Sequence, residues 1–226
     1  MNNPNERVAL IAGATGLVGR HCLQLLLDNP LYGKVIALTR QPFTFSHSKL
    51  ECKIIDFDQL AAQTGPLSCD DVFCCLGTTI KVAGSQANFR KVDFHYCLEL
   101  AKLGERSGAE HFLLVSAIGA RAKSSIFYSR VKGELEQSIE LLQFDRFSIF
   151  HPSLLAGHRE KSRRAEALGL KLTKKLSSVL IGSLSDYSVI EAKDLGQAMV
   201  AVAQAYSVNK NSGIQRLKYR SIMEYL

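Results

Sequence analysis

The sequence predicts an α/β fold: an open parallel sheet, wound in both directions from its middle and covered by helices on both faces. Two observations carry this. Short apolar runs alternate with stretches of helical periodicity, with connections too long for hairpins. The first run passes directly into three glycines, Gly13, Gly16 and Gly19, spaced G-x-x-G-x-x-G. Nearly all-apolar strands are what a sheet covered on both faces requires, because neither row of side chains meets water.

The elements follow in order. Val8 to Arg20 (VALIAGATGLVGR) reads as a buried strand, a glycine turn and the start of a helix. Apolar spacing from Leu17 to Leu27 continues that helix until Asp28-Asn29-Pro30, where proline disfavours further turns. Lys34 to Thr39 is a second strand, residues 41–51 a loop, Lys53 to Asp56 a third strand and Asp71 to Leu76 a fourth. A long helix is predicted from Ser85 or Gln86 to Arg106, then a strand from His111 to Ser116, a helix from Ser125 to Gln143, and a strand from Arg146 to His151 that Pro152 ends. Beyond it the pattern weakens to helices over Arg163 to Leu180 and Asp194 to Tyr206 and a last strand over Ile214 to Tyr219.

A chain of 226 residues that is 46% hydrophobic buries one core, so a single domain over 1–226 is expected. No apolar run approaches the ~20 residues of a membrane helix. The opening MNNPNER lacks a basic segment followed by an apolar one, and six cysteines without a C-x-x-C pair read as reduced thiols. A cytoplasmic protein is therefore expected. The net charge of +7 suits an anionic ligand, with much of the excess in His158 to Arg164 and Lys171 to Lys175. No interleaved aromatics or binding motif support nucleic acid, and no Cys/His/Asp cluster has metal-ligand spacing.

The glycine turn points to a dinucleotide. Gly13 allows the tight turn, Gly16 lets the backbone approach a pyrophosphate, and Gly19 lets helix and strand pack closely, with the phosphates on the helix N-terminus. This is the fingerprint of a Rossmann-type sheet, with residues 7–152 as its core and 153–226 as a small C-terminal elaboration on the substrate side. At the end of the second strand an acidic residue would accept from the ribose 2′-hydroxyl; here Arg40 stands there, and its planar fork suits a 2′-phosphate. NADP(H) is thus favoured over NAD(H). Asp56 and Phe57 are placed to meet the adenine edge, although Asp56 equally reads as a helix cap. Leu76, Gly77 and Thr78 end the fourth strand, where open sheets bind ligands.

Tyr128 and Lys132 lie four apart in a helical segment and share one face, and Ser116 ends the preceding strand. Carbonyl reduction needs a proton donor beside the hydride acceptor. Tyr128 reads as general acid or base, Lys132 as the cation that stabilises its phenolate and anchors a ribose, and Ser116 as the hydroxyl that orients substrate.

Together these residues resemble the short-chain dehydrogenase/reductase superfamily, which carries such a glycine turn with a Ser, Tyr-x-x-x-Lys site. Asp71 to Thr79 (DVFCCLGTT), Lys123 to Glu134 (KSSIFYSRVKGE) and Phe144 to Pro152 (FDRFSIFHP) are similar to the mammalian HIV Tat-interacting protein family, atypical members with bound NADPH; the likeness runs over roughly residues 7 to 160. The resemblance implies cofactor contacts at Gly13, Thr15, Gly16, Leu17, Val18, Arg40, Leu76, Gly77, Tyr128 and Lys132, with Pro152, Ser153 and Leu154 near the nicotinamide. Where many members place an asparagine that holds a proton-relay water, this chain has Asp93, whose carboxylate can also bind water. His95 and His151 read as packing or strand-end residues.

Two functions stand against each other. One is an NADP(H)-dependent oxidoreductase of a small carbonyl or alcohol; fewer than eighty residues follow Pro152, too few for a large sugar-nucleotide domain. The other is a non-catalytic protein whose bound NADPH organises a surface for a protein partner. Homo-oligomerisation stays open.

Overall fold

The computed structural model describes residues 6–156 and 188–226. The helix expected over Arg163 to Leu180 and the two basic runs lie outside the described residues.

Seven parallel strands form one sheet. β1 (Arg7–Ala12) leads through the glycine turn to α1 (Gly19–Asp28) and β2 (Tyr32–Thr39), followed by β3 (Leu50–Ile54). A 3-10 turn (Phe57–Gln59) and α2 (Leu60–Gln63) precede β4 (Asp71–Cys74). Then come α3 (Ile80–Ala83), α4 (Gln86–Arg90), a π-helical turn (Lys91–Tyr96), α5 (Cys97–Arg106) and β5 (His111–Val115). Next are α6 (Phe127–Glu140), β6 (Arg146–Phe150) and two short strands, β7 (Leu155–Ala156) and β8 (Ile190–Glu191). The chain ends in α7 (Ala192–Asn209), β9 (Gly213–Leu217) and α8 (Tyr219–Met223). The order across the main sheet is β3-β2-β1-β4-β5-β6-β9, so the winding reverses between β1 and β4. That reversal opens the crevice where such sheets take their ligands.

Alternation along each strand divides the core in two. Ala9 and Ile11 of β1, with Phe73, Leu113 and Phe150, pack beneath α1 and α7. Leu10 and Ala12, with Val72, Phe112 and Leu114, pack beneath α5 and α6. The last residues complete this framework: α7 lies along α1 and β9 pairs with β6. Gly196 of α7 allows that approach, since a Cβ there would sit 3.1 Å from the backbone nitrogen of Cys22.

Three elements differ from the sequence reading. The third strand begins at Leu50, inside the expected loop, and ends at Ile54. It is the edge strand: Cys52 and Ile54 are exposed and half-buried Glu51 pairs with Lys34 and Lys53, so the strand lacks the apolar run of the inner strands. Asp56 lies past the strand and caps the 3-10 turn, accepting from the Asp58 amide at 2.9 Å. The long helix after Ser85 is interrupted by the π-turn.

At the amino ends of the strands, Arg7 grips Asp71 with two hydrogen bonds of 2.8 and 3.0 Å, and the Tyr32 hydroxyl donates to the same carboxylate at 2.9 Å. His111 is fully buried beside them. Its Nε2 shares a 2.9 Å hydrogen bond with Ser148 Oγ, while its Nδ1 stands 3.6 Å from Asp71 without a hydrogen bond.

Two predictions arise here. A Cβ on Gly19 would lie 2.1 Å from the Gly13 carbonyl oxygen, against 3.1 Å for one on Gly16. Gly19→Ala is expected to destabilise by roughly 2 kcal/mol or more and Gly16→Ala by clearly less, read from urea midpoints. Burial, then the charges of Arg146, Arg7 and Lys210, holds the His111 imidazole well below its ordinary 6.5. Below 6.5 the unfolded chain therefore binds protons that the folded chain refuses, and stability is lost as the pH falls. Glutamine at this position keeps a donor but cannot titrate, so wild type is expected to lose more stability than His111→Gln between about pH 7 and pH 5.

Candidate functional site

The crevice begins at the glycine turn. Gly13 has φ +82°, and a Cβ on it would lie 2.5 Å from the carbonyl carbon and oxygen of Cys75, so only glycine lets the turn lie against the end of β4. The Gly16 amide donates to the Gly13 carbonyl at 2.9 Å and closes the turn. Thr15 and Gly16 are exposed, Leu17 is half-buried, and Val18 and Gly19 are buried under the first turn of α1. Small, exposed backbone at a helix N-terminus is the shape a pyrophosphate needs.

Along the rim, Arg40 is exposed just past β2, where the Thr39 hydroxyl donates to the Gln41 carbonyl at 2.6 Å and fixes the turn. Phe57 is buried, with its ring 5.5 Å from that of Tyr96. Leu76 is half-buried and Gly77 exposed. A Cβ on Gly77 would reach 3.4 Å from Asp93 Oδ1 and 3.9 Å from Lys132 Nζ, so this glycine lies directly over those two groups. At the far side Pro152 is buried and accepts from the Ile118 amide at 2.9 Å, the Ser153 hydroxyl donates to the Ser188 carbonyl, and Leu154 is exposed.

Tyr128 and Lys132 stand one turn apart on α6. Tyr128 is half-buried, its ring 5.3 Å from that of Phe89. Lys132 is buried, and its ammonium meets Asp93 Oδ1 at 2.8 Å. The other Asp93 oxygen accepts from the Thr78 amide at 2.8 Å. Burial works against the ammonium, but the Asp93 carboxylate and then the Tyr128 phenol outweigh it, and Lys132 is held above the usual lysine range. Both Asp93 oxygens are thus engaged directly by protein.

Ser116 is brought to the same helix, but one turn further along. Its hydroxyl donates to Glu136 Oε1, and His151 Nε2 meets the same oxygen at 2.9 Å. All three residues are buried. Ser116 is therefore already committed as a donor and is left with its lone pairs. Glu136 was missed by the sequence reading, although Tyr128, Lys132 and Glu136 follow at four-residue steps and so share one face. His95 is exposed, its ring 5.2 Å from that of the adjacent Phe94. Among the described residues no group of His, Cys, Asp and Glu could hold a metal ion, and no helix is long and apolar enough to cross a membrane.

The glycine cradle, the open backbone over Asp93 and Lys132, and their place at the reversal of the sheet fit a bound dinucleotide. Comparison with known proteins agrees. Residues 13–141 match the model of a family described as NAD(P)H-binding. The chain is 39% identical over 170 residues to protein HTATIP2 of Rattus norvegicus, covering 74% of this chain and 70% of that protein. It is 36% identical over 200 residues to fmp52 of Emericella nidulans, covering 85% of each. WbmH of Bordetella bronchiseptica, solved in complex with NAD+, shares the fold at a TM-score of 0.64 and 16% identity, over 94% of this chain and 86% of that one. Several fungal relatives bear the word mitochondrial in their names, which overturns the cytoplasmic expectation. Organelle addresses are read by receptors, so thiol count and bulk composition could not reveal them. From the glycine turn to the end of α6, the chain belongs to the NAD(P)H-binding family of atypical short-chain dehydrogenases/reductases that includes HTATIP2.

Proposed function

We propose that this protein is an NADP(H)-dependent oxidoreductase acting on a small carbonyl or alcohol. The observation that carries the reading is Tyr128 beside a buried, charged Lys132 at the carboxyl end of the sheet, next to the glycine cradle. A nicotinamide, when bound, supplies or accepts the hydride. The chain supplies position and proton. Tyr128 exchanges a proton with the substrate oxygen, Lys132 offers its remaining N–H donors to a ribose, and Gly13, Thr15, Gly16, Leu17, Val18 and Gly19 receive the pyrophosphate. Leu76, Gly77 and Thr78 border the middle of the cofactor, Pro152, Ser153 and Leu154 its nicotinamide end, and Asp56 and Phe57 its adenine end. Ser116, whose proton is held by Glu136, accepts from an alcohol substrate or releases Glu136 on binding a carbonyl.

That same bond favours a second reading, a non-catalytic NADPH sensor with a protein partner, since a sensor has no use for a free serine hydroxyl. Tyr128→Phe separates the two. It is expected to leave NADPH binding within about twofold and to lower turnover of a carbonyl panel by 10²-fold or more, at roughly the scale of lost acid–base catalysis. A wild type that binds NADPH tightly and turns over none of the panel establishes the sensor instead. Arg40→Ala tests the nucleotide. It is expected to weaken NADPH by roughly tenfold and leave NADH nearly unchanged in a fluorescence titration, the size of one lost charge-assisted contact. Equal weakening of both would remove Arg40 from the 2′-phosphate.

A further inference from the structure

Lys132 does not face Tyr128 as a lone cation. Its ammonium is paired at 2.8 Å with Asp93, and both side chains are almost completely buried. Asp93 belongs to the π-turn, is held from its other oxygen by the Thr78 amide, and is covered by a glycine, Gly77. Single π-turns inside helices recur at functional sites, because the extra residue turns a side chain off the regular helical face. On the same face of α6, one turn beyond Lys132, the Glu136 carboxylate is held by the Ser116 hydroxyl and His151 Nε2. Phe89 lies against the phenol, Cys97 is a buried thiol near Lys132, and Arg90 and Glu134, between α4 and α6, pair with each other at 2.5 Å. A bare cation stabilises an adjacent phenolate; an ion pair, whose opposite charges nearly cancel a few ångströms away, does so far less.

We propose that Asp93 is a positioning residue: by pairing with Lys132 it offsets the ammonium charge beside Tyr128 and weakens the field that would stabilise a phenolate, so that Tyr128 serves as the proton donor in carbonyl reduction. This rests on the oxidoreductase reading. In the step, the substrate carbon takes a hydride from bound NADPH, the carbonyl π pair moves to oxygen, that oxygen takes the Tyr128 proton, and the phenolate recovers a proton from solvent. The products are an alcohol and NADP+.

Asp93→Asn tests this, because asparagine keeps an acceptor for Thr78 while removing the charge. The pH at which kcat/KM for reduction falls off is expected to move down by about one unit or more, a tenfold change in the controlling ionisation. The ultraviolet tyrosinate band of Tyr128, isolated by subtracting a Tyr128→Phe titration, is expected to move down with it, and Asp93→Glu to restore the wild-type profile. A superimposable pair of profiles and titrations for wild type and Asp93→Asn would overturn the inference and leave the enzyme intact. Absence of turnover by the wild type would defeat the oxidoreductase reading and the inference together. Should Asp93→Asn not fold, the wild type decides: a Tyr128 tyrosinate band already present at about pH 7 overturns the proposal, and its absence there supports it.

Discussion

A buried ammonium must be matched, and in this protein most of the site follows from how Lys132 is matched. An unpaired charge in the interior would cost several kcal/mol or be neutralised. Asp93 meets it, and in doing so joins three elements: α6, which carries Tyr128, the π-turn that supplies the carboxylate, and the β4 loop, whose Thr78 amide takes the second oxygen. Gly77 leaves the space above this pair open, since a Cβ there would already reach 3.4 Å from Asp93 Oδ1. One electrostatic requirement thereby sets the position of a helix and a loop and opens the floor of the crevice.

The glycine turn is the complementary constraint, and it is steric. Gly13 touches the backbone at the end of β4 and Gly19 touches the carbonyl of Gly13, so β1, α1 and β4 meet backbone to backbone where the sheet reverses. Side chains are excluded there by contact with neighbouring backbone, which explains why the same residues govern both the packing of the first helix and the openness of the crevice. The polar cluster of Arg7, Tyr32, Asp71 and His111 closes the opposite ends of the strands, far from the chemistry.

Ser116, Glu136 and His151 form a second buried polar set that ties the carboxyl ends of β5 and β6 to α6. It extends the face of α6 that begins at Tyr128, so this helix carries a phenol, an ammonium and a carboxylate in successive turns. Its connectivity is not that of a Ser-His-Asp triad: the serine and the histidine both bond the carboxylate rather than each other, so the histidine is not placed on the serine hydroxyl.

Residue spacing by itself determined a good deal. Apolar runs too short for helices located the inner strands, the three glycines located the turn, and the four-residue step from Tyr128 to Lys132 placed them on one face, because each of these depends on neighbours in sequence. Tertiary structure decided the rest. The edge strand at Leu50–Ile54 carries charges that pair across to β2, a partner no local window contains. The partner of Lys132 comes from thirty-nine residues earlier, turned inward by a break in helical phase. Glu136 holds Ser116 from twenty residues away and His151 from fifteen. Periodicity reports which face a side chain occupies; which charge it meets there depends on how the elements pack, and that is why spacing could nominate candidates for the site but not its charge balance.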